Sequence, residues 1–132
     1  MSTSVLIFVV EDNHLIQQLL DDTLTDGGYV VRAASTGEEA IAVLDEIGPD
    51  LQALITDVDL VPGKLTGWDV ARHAREMTAD LPVIYITGAS GHEWASKGVP
   101  KSLLMNKPFA PAQVVTAVSQ LINARTSQIG DD

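Results

Sequence analysis

The sequence predicts an α/β domain built on a parallel five-stranded sheet, and three observations carry that prediction. Short apolar runs alternate with amphipathic stretches five times, the pattern of strands joined by helical crossovers. Four of the runs end in a chemically useful residue: Val5 to Val10 at Glu11-Asp12, Leu54-Ile55-Thr56 at Asp57, Val83 to Ile86 at Thr87-Gly88, and Leu103-Leu104-Met105 near Lys107-Pro108. The length, 132 residues, is enough for one domain that buries most of its apolar surface and too little for two ordinary ones.

Each element has a local reason. After the first run, Leu15, Ile16, Leu19, Leu20 and Leu24 recur at helical spacing until Gly27-Gly28 supplies a stop. Tyr29-Val30-Val31 resumes an extended strand. Thr36 with Glu39 three residues on reads as a capping box for a second helix, whose buried stripe is Ala40, Val43, Leu44 and Ile47 and which ends at Gly48-Pro49. The third strand carries Asp57. Asp59 to Thr66 holds Pro62 and Gly63 and reads as a loop, after which Trp68, Val70, Ala71, Ala74 and Met77 give a third helix face. Pro82 opens the fourth strand. Gly88, Gly91, Gly98 and Pro100 leave room only for a short helix around His92 to Lys97. Pro111 suits the first turn of a last helix with Val114, Val115, Val118, Leu121 and Ile122 on its apolar side. Residues 126–132 read as a flexible polar tail, so 1–125 form the domain and no length remains for an output domain.

Composition narrows the function. A formal net charge of -10 without a basic cluster argues against nucleic-acid binding, because such a surface repels phosphate backbones. With no cysteine there is no disulfide framework or thiolate nucleophile. The first apolar run is short and has no basic residue before it, unlike a signal peptide or a membrane span. The expectation is a cytoplasmic protein with no membrane partner. His14, His73 and His92 have no metal-like spacing. Trp68 reads as core, and Trp94 either faces a partner or packs under its loop.

In an open parallel sheet, ligands bind outside the carboxyl ends of the strands. If the first and third strands are neighbours, Glu11, Asp12 and Asp57 converge, and their three charges repel and raise one another's pKa. Lys107 supplies one positive charge and a divalent ion would bring the sum to zero; Mg²⁺ suits an oxygen-ligand set of this kind. A carboxylate beside Mg²⁺ and a lysine can attack a phosphoryl donor and form an acyl phosphate. Asp57 is then the nucleophile, Thr87 hydrogen-bonds the phosphoryl oxygen, and Gly88 leaves the group room to enter.

Glu11-Asp12, Asp57, Thr87 and Lys107-Pro108-Phe109, in this order and on these elements, resemble the receiver domain of two-component response regulators over nearly the whole chain. The resemblance implies a flavodoxin-like (βα)5 three-layer sandwich of strand order 2-1-3-4-5. It implies that Asp57 accepts phosphate from a histidine kinase or phosphotransfer protein. It further implies that Asp12 and Asp57 bind Mg²⁺ directly, Glu11 through a metal-bound water and Asp59 through its backbone carbonyl. Lys107 pairs with the phosphoryl group, its bond to Pro108 is cis, and Thr87 moves to report phosphorylation. The expected protein is a stand-alone, non-enzyme switch or phosphate sink acting on an unknown downstream protein, with room for a homodimer through the face of the fourth helix, fifth strand and fifth helix.

Two departures stand out. Leu104 occupies the position, three before Lys107, where the family usually has Tyr or Phe, and the loop from Asp59 to Gly67 is longer than usual and adds the Asp59 carboxylate. Two other readings follow: a degenerate receiver-like scaffold that binds partners without phosphate, and, because Asp57-Val58-Asp59 resembles the Asp-x-Asp motif, a haloacid-dehalogenase-type phosphohydrolase. In that second family the motif follows the first strand, and here it follows the third.

Overall fold

Five strands, β1 (Leu6–Val10), β2 (Val30–Ala34), β3 (Leu51–Asp57), β4 (Val83–Thr87) and β5 (Leu103–Asn106), lie parallel in the order β2-β1-β3-β4-β5. That is the expected topology. The structure, a computed structural model, describes residues 4–130, with side chains as far as Arg125. Helices α1 (His14–Asp26), α2 (Gly37–Ile47), α3 (Gly67–Met77) and α4 (Trp94–Lys97) lie in the four crossovers, and α5 (Pro111–Gly130) follows the last strand. α5 continues past Thr126, where a tail was expected, and Asp131 and Asp132 lie outside the described residues.

Alternation along the strands builds two cores. Phe8, Val10, Leu54 and Tyr85 point to the side covered by α2 and α3, while Ile7, Val9, Ile55 and Ile84 point to the side of α1 and α5. Trp68 fills the first core with its ring 4.6 Å from that of Tyr85, tilted by 56°, within the geometry that aromatic pairs favour. Trp94 packs against the same core and donates its Nε1–H to Ser102 Oγ at 2.9 Å. Of the two roles open to it, packing under the loop is the one observed.

Several local expectations are corrected. Leu15 and Leu19 are exposed, so the buried stripe of α1 is Ile16, Leu20 and Leu24, spaced by four along one side of the helix. Met77 at the end of α3 is exposed as well. Thr36 does cap α2, accepting the Glu39 N–H at 3.1 Å, but Glu39 returns its carboxylate to the Ser35 N–H rather than to Thr36. The reciprocal capping box forms instead at α3, between Thr66 and Asp69. β3 begins at Leu51, three residues before the run that announced it, and β2 extends to Ala34.

Candidate functional site

The register of the sheet assembles the site. β1 and β3 pair with Val10 opposite Thr56, so Glu11 and Asp57 leave the sheet side by side. β3 pairs with β4 at Asp57 and Ile86, and β4 with β5 at Thr87 and Asn106, which sets Thr87 and Lys107 along the same edge. Backbone bonds continue the ladder beyond the strands, with the Val58 N–H donating to Ile86 O and the Lys107 N–H to Thr87 O. All four strand ends therefore meet at one open cleft of about 520 Å³, lined by Asp12, Asn13, Asp57, Asp59, Val61, Gly88, Ala89 and Lys107.

Carboxylate oxygens of Glu11, Asp12 and Asp57 lie within 4.8 Å of one another. Glu11 is buried; its Oε2 accepts the Asn13 N–H at 3.0 Å, while Oε1 has no hydrogen-bond partner among the described residues and lies 3.2 Å from the ammonium of Lys107. Asp57, also buried, receives Lys107 Nζ on Oδ2 at 3.1 Å and the Asp59 N–H on Oδ1 at 3.3 Å. Asp12 accepts the Val61 N–H at 3.2 Å. Lys107 leaves β5 through a cis bond to Pro108, the geometry the resemblance implied.

Charge crowding shows in the titration of these groups. Burial pushes the Glu11 carboxyl up to about 7, against the downward pull of the Asn13 N–H, with the charge of Asp57 and a hydrogen bond to Asp12 adding to the rise. Burial likewise raises Asp57, although the bond and charge of Lys107 oppose it. Asp12 moves down: its hydrogen bonds with Glu11, the Val61 N–H and Asp57 outweigh its partial burial. The Lys107 ammonium, which burial alone would lower, is raised by its bond to Asp57.

Thr87 is fully buried. Its Oγ1 accepts the N–H groups of Ala89 and Ser90, at 3.2 and 2.8 Å, and donates to Asp59 Oδ2 at 3.3 Å. Asp59 thus directs its carboxylate away from the three clustered acids and toward Thr87 and Ser90, whose hydroxyl it accepts at 2.9 Å. At Gly88 a Cβ would meet only Lys107 Cβ, at 4.0 Å, so the cleft there is open.

Three supporting residues escaped the sequence reading. Gln17 donates its amide to Glu11 O, Ala34 O and Ser35 Oγ, tying the ends of β1 and β2 to α1. Asn13 caps α1 by accepting the N–H groups of Leu15 and Ile16, which holds the turn after Asp12. At Gly67 the first turn of α3 lies so close to the backbone of Asp57 that a Cβ would overlap the Asp57 carbonyl. Asn13 before a helical stripe was a readable signal; the other two depend on contacts between distant segments.

The response regulator receiver domain matches residues 7–119, and the chain belongs to that family. Receiver domains are signalling phosphoacceptors rather than turnover enzymes. Among solved structures it is similar to a response regulator receiver protein from Sinorhizobium medicae WSM419, at 43% identity and a TM-score of 0.87 over 92% of this chain and 97% of that one. A response regulator receiver domain protein from Clostridium thermocellum superposes at a TM-score of 0.83 with 25% identity, covering 94% of this chain and 98% of that one. Among curated relatives, the response regulator MprA of Mycobacterium ulcerans is 30% identical over 98% of this chain and 54% of its own length. The alkaline phosphatase synthesis transcriptional regulatory protein PhoP of Bacillus subtilis is 32% identical over 93% of this chain and 50% of its own. The chain thus spans about half the length of these two relatives. The Asp57-Val58-Asp59 motif begins at the last residue of the third strand, and membership of the receiver family sets the phosphohydrolase resemblance aside.

Proposed function

We propose that this receiver accepts a phosphoryl group on Asp57 from a histidine kinase or phosphotransfer protein, and that it signals by protein contacts or drains phosphate from its donor. The observation that carries the reading is Lys107, whose ammonium lies 3.1 Å from Asp57 Oδ2 and 3.2 Å from Glu11 Oε1 at the mouth of the cleft. In the transfer, an Asp57 carboxylate oxygen forms a bond to phosphorus as the donor's phosphorus–nitrogen bond breaks, and the departing imidazole takes up a proton. Lys107 favours the anionic form of Asp57 against the effect of burial and offsets charge on the transferred oxygens.

The acid cluster fits a hard divalent cation. Its donors are all carboxylate oxygens, and the buried Glu11 Oε1, ion-paired with Lys107 but without a hydrogen bond among the described residues, keeps a lone pair that a metal-bound water can satisfy. We assign Asp12 and Asp57 as the direct Mg²⁺ ligands, Glu11 as the ligand acting through water, and the Asp59 carbonyl as a backbone ligand. When bound, Mg²⁺ supplies Lewis-acid charge neutralisation of the phosphoryl oxygens. Thr87 then serves as the hydroxyl that reads the phosphoryl group.

We further propose that the protein works in the cytoplasm. Among the described residues no helix is long and apolar enough to cross a membrane. Incubation with acetyl phosphate and Mg²⁺, followed by peptide mass spectrometry, is expected to place the label on Asp57. An equally labelled Asp57→Asn variant would overturn the assignment.

A further inference from the structure

Asp59 carries a contact that acceptor chemistry does not require. Its carboxylate receives the hydroxyl of Thr87 at 3.3 Å and that of Ser90 at 2.9 and 3.2 Å. Both partners lie about thirty positions along the chain, Thr87 at the end of the next strand and Ser90 just past it, so the contact is tertiary rather than a turn motif. In the same segment, the N–H groups of Ala89 and Ser90 converge on Thr87 Oγ1. Thr87 therefore spends its single donor on Asp59 and its acceptor capacity on its own loop.

We infer that Asp59 is a positioning residue that latches Thr87 and Ser90 in the resting state, and that the latch must release before the Thr87 hydroxyl can reach a phosphoryl group on Asp57. This rests on the reading of Asp57 as the acceptor. The chemistry forces an exchange: a threonine has one O–H, and it cannot donate to Asp59 and to a phosphoryl oxygen at full strength together. The same event that creates the new acceptor also weakens the old one. Asp59 follows Asp57 by two residues and its N–H donates to Asp57 Oδ1, so a phosphoryl group of charge roughly -1.5 to -2 there repels the Asp59 carboxylate. At 3.3 Å the Thr87 bond is long and gives way readily.

The latch also supplies a relay. Leu104 has no polar atom to couple to Thr87; its Cδ2 lies 3.3 Å from where a Cβ on Gly91 would stand, at the start of the turn that leads into α4. Ser90 is the residue immediately before that turn. Releasing Asp59 thus frees both the threonine that senses phosphate and the serine that anchors the entrance to α4.

The test is a titration of the Mg²⁺-loaded protein with beryllofluoride, an analogue of the aspartyl-bound phosphoryl group, in a double-mutant cycle. Asp59→Ala is expected to tighten beryllofluoride binding roughly three- to tenfold, the range expected for removing a competing hydroxyl–carboxylate contact. In a Thr87→Val background the gain is expected to shrink to what charge removal and the Ser90 contact contribute, because no Thr87 hydroxyl remains to be released. A gain undiminished by Thr87→Val would show that the Thr87 hydroxyl takes no part and overturn the latch. So would unchanged or weakened binding in Asp59→Ala. The resting state gives an independent readout: in Asp59→Ala without beryllofluoride, the amide resonances of Ala89 and Ser90 are expected to move toward their beryllofluoride-bound positions, and unmoved resonances would count against the latch. Acetyl phosphate labelling of the wild type separates the two readings. An unlabelled Asp57 removes the acceptor assignment, whereas a labelled Asp57 with a null cycle removes only the latch.

Discussion

The two sides of the cleft are built in different ways. On one side β1 and β3 deliver Glu11, Asp12 and Asp57 from the centre of the sheet, covered on both faces, and the first turn of α3 presses against the backbone at Asp57. On the other, the side chains of Thr87 and Ser90 and the segment of the four-residue α4 are tied by hydroxyl and indole bonds: Thr87 and Ser90 to Asp59, Trp94 to Ser102, Val99 to Tyr85. Packed backbone offers one arrangement, because interiors are dense and deform little. Side-chain bonds of about 1 kcal/mol each can be exchanged singly. The charge-holding side is thus fixed and the reporting side adjustable.

The largest expected effect attacks the fixed side. Gly67→Ala would drive a methyl into the Asp57 carbonyl and within 2.9 Å of Val58 Cα, both backbone atoms that cannot swing away. A loss of about 3 kcal/mol or more is expected in urea unfolding, at or beyond the upper end for overpacking, together with loss of Asp57 labelling. Near-wild-type stability would show that the two backbones are not in rigid contact.

The second effect comes from the crowded carboxyls. Glu11 has its folded pKa raised from 4.5 to about 7, so between those values the folded chain binds more protons than the unfolded one. Metal-free stability therefore falls as pH rises from about 4.5 to about 7, by at most about 3 kcal/mol for a shift of this size. Asp57, also raised, acts in the same direction, while the lowered Asp12 contributes a loss only as pH falls through the acid range below its ordinary value. Glu11→Gln is expected to flatten the slope. Millimolar Mg²⁺ is expected to raise the melting temperature near pH 7 by binding the assembled acids. A melting temperature indifferent to both would remove charge crowding as a feature of the site.

The smallest effect sharpens the contrast from the adjustable side. Ser102 accepts the Trp94 indole N–H and donates to Val99 O at 2.6 Å. Ser102→Ala is expected to cost about 1 kcal/mol, the ordinary worth of such a bond, and to red-shift tryptophan emission while leaving Asp57 labelling intact. A loss of labelling would mean that the two sides are mechanically one.

The fixed side was the legible one. Apolar runs that stop at Glu11-Asp12 and Asp57 announce strands and site together, because burial on both faces demands continuous hydrophobicity and solvent returns where the strand ends. On the adjustable side the strand end at Thr87 and the short helix could be read but the bonds could not, since those of Asp59 to Thr87 and Ser90 join segments whose proximity only the β3–β4 pairing creates. α1 misled for a related reason. Its five apolar residues cover a wider arc than one neighbouring layer can bury, and periodicity could not choose Ile16, Leu20 and Leu24 over Leu15 and Leu19. At α2 the Thr36–Glu39 spacing was right and only the carboxylate's target differed, by one residue.

The loop after β3 is pinned at two points by carboxylates from other elements: Val61 by Asp12, and Lys64, whose N–H donates to Glu38 Oε2 at 3.0 Å. One pin is remote from the acid cluster and the other belongs to it. Deuterium exchange at Lys64 therefore measures the loop alone, whereas exchange at Val61 also measures what Asp12 is engaged with, so the pair forms an internally referenced gauge of the site's occupancy within a single strapped segment.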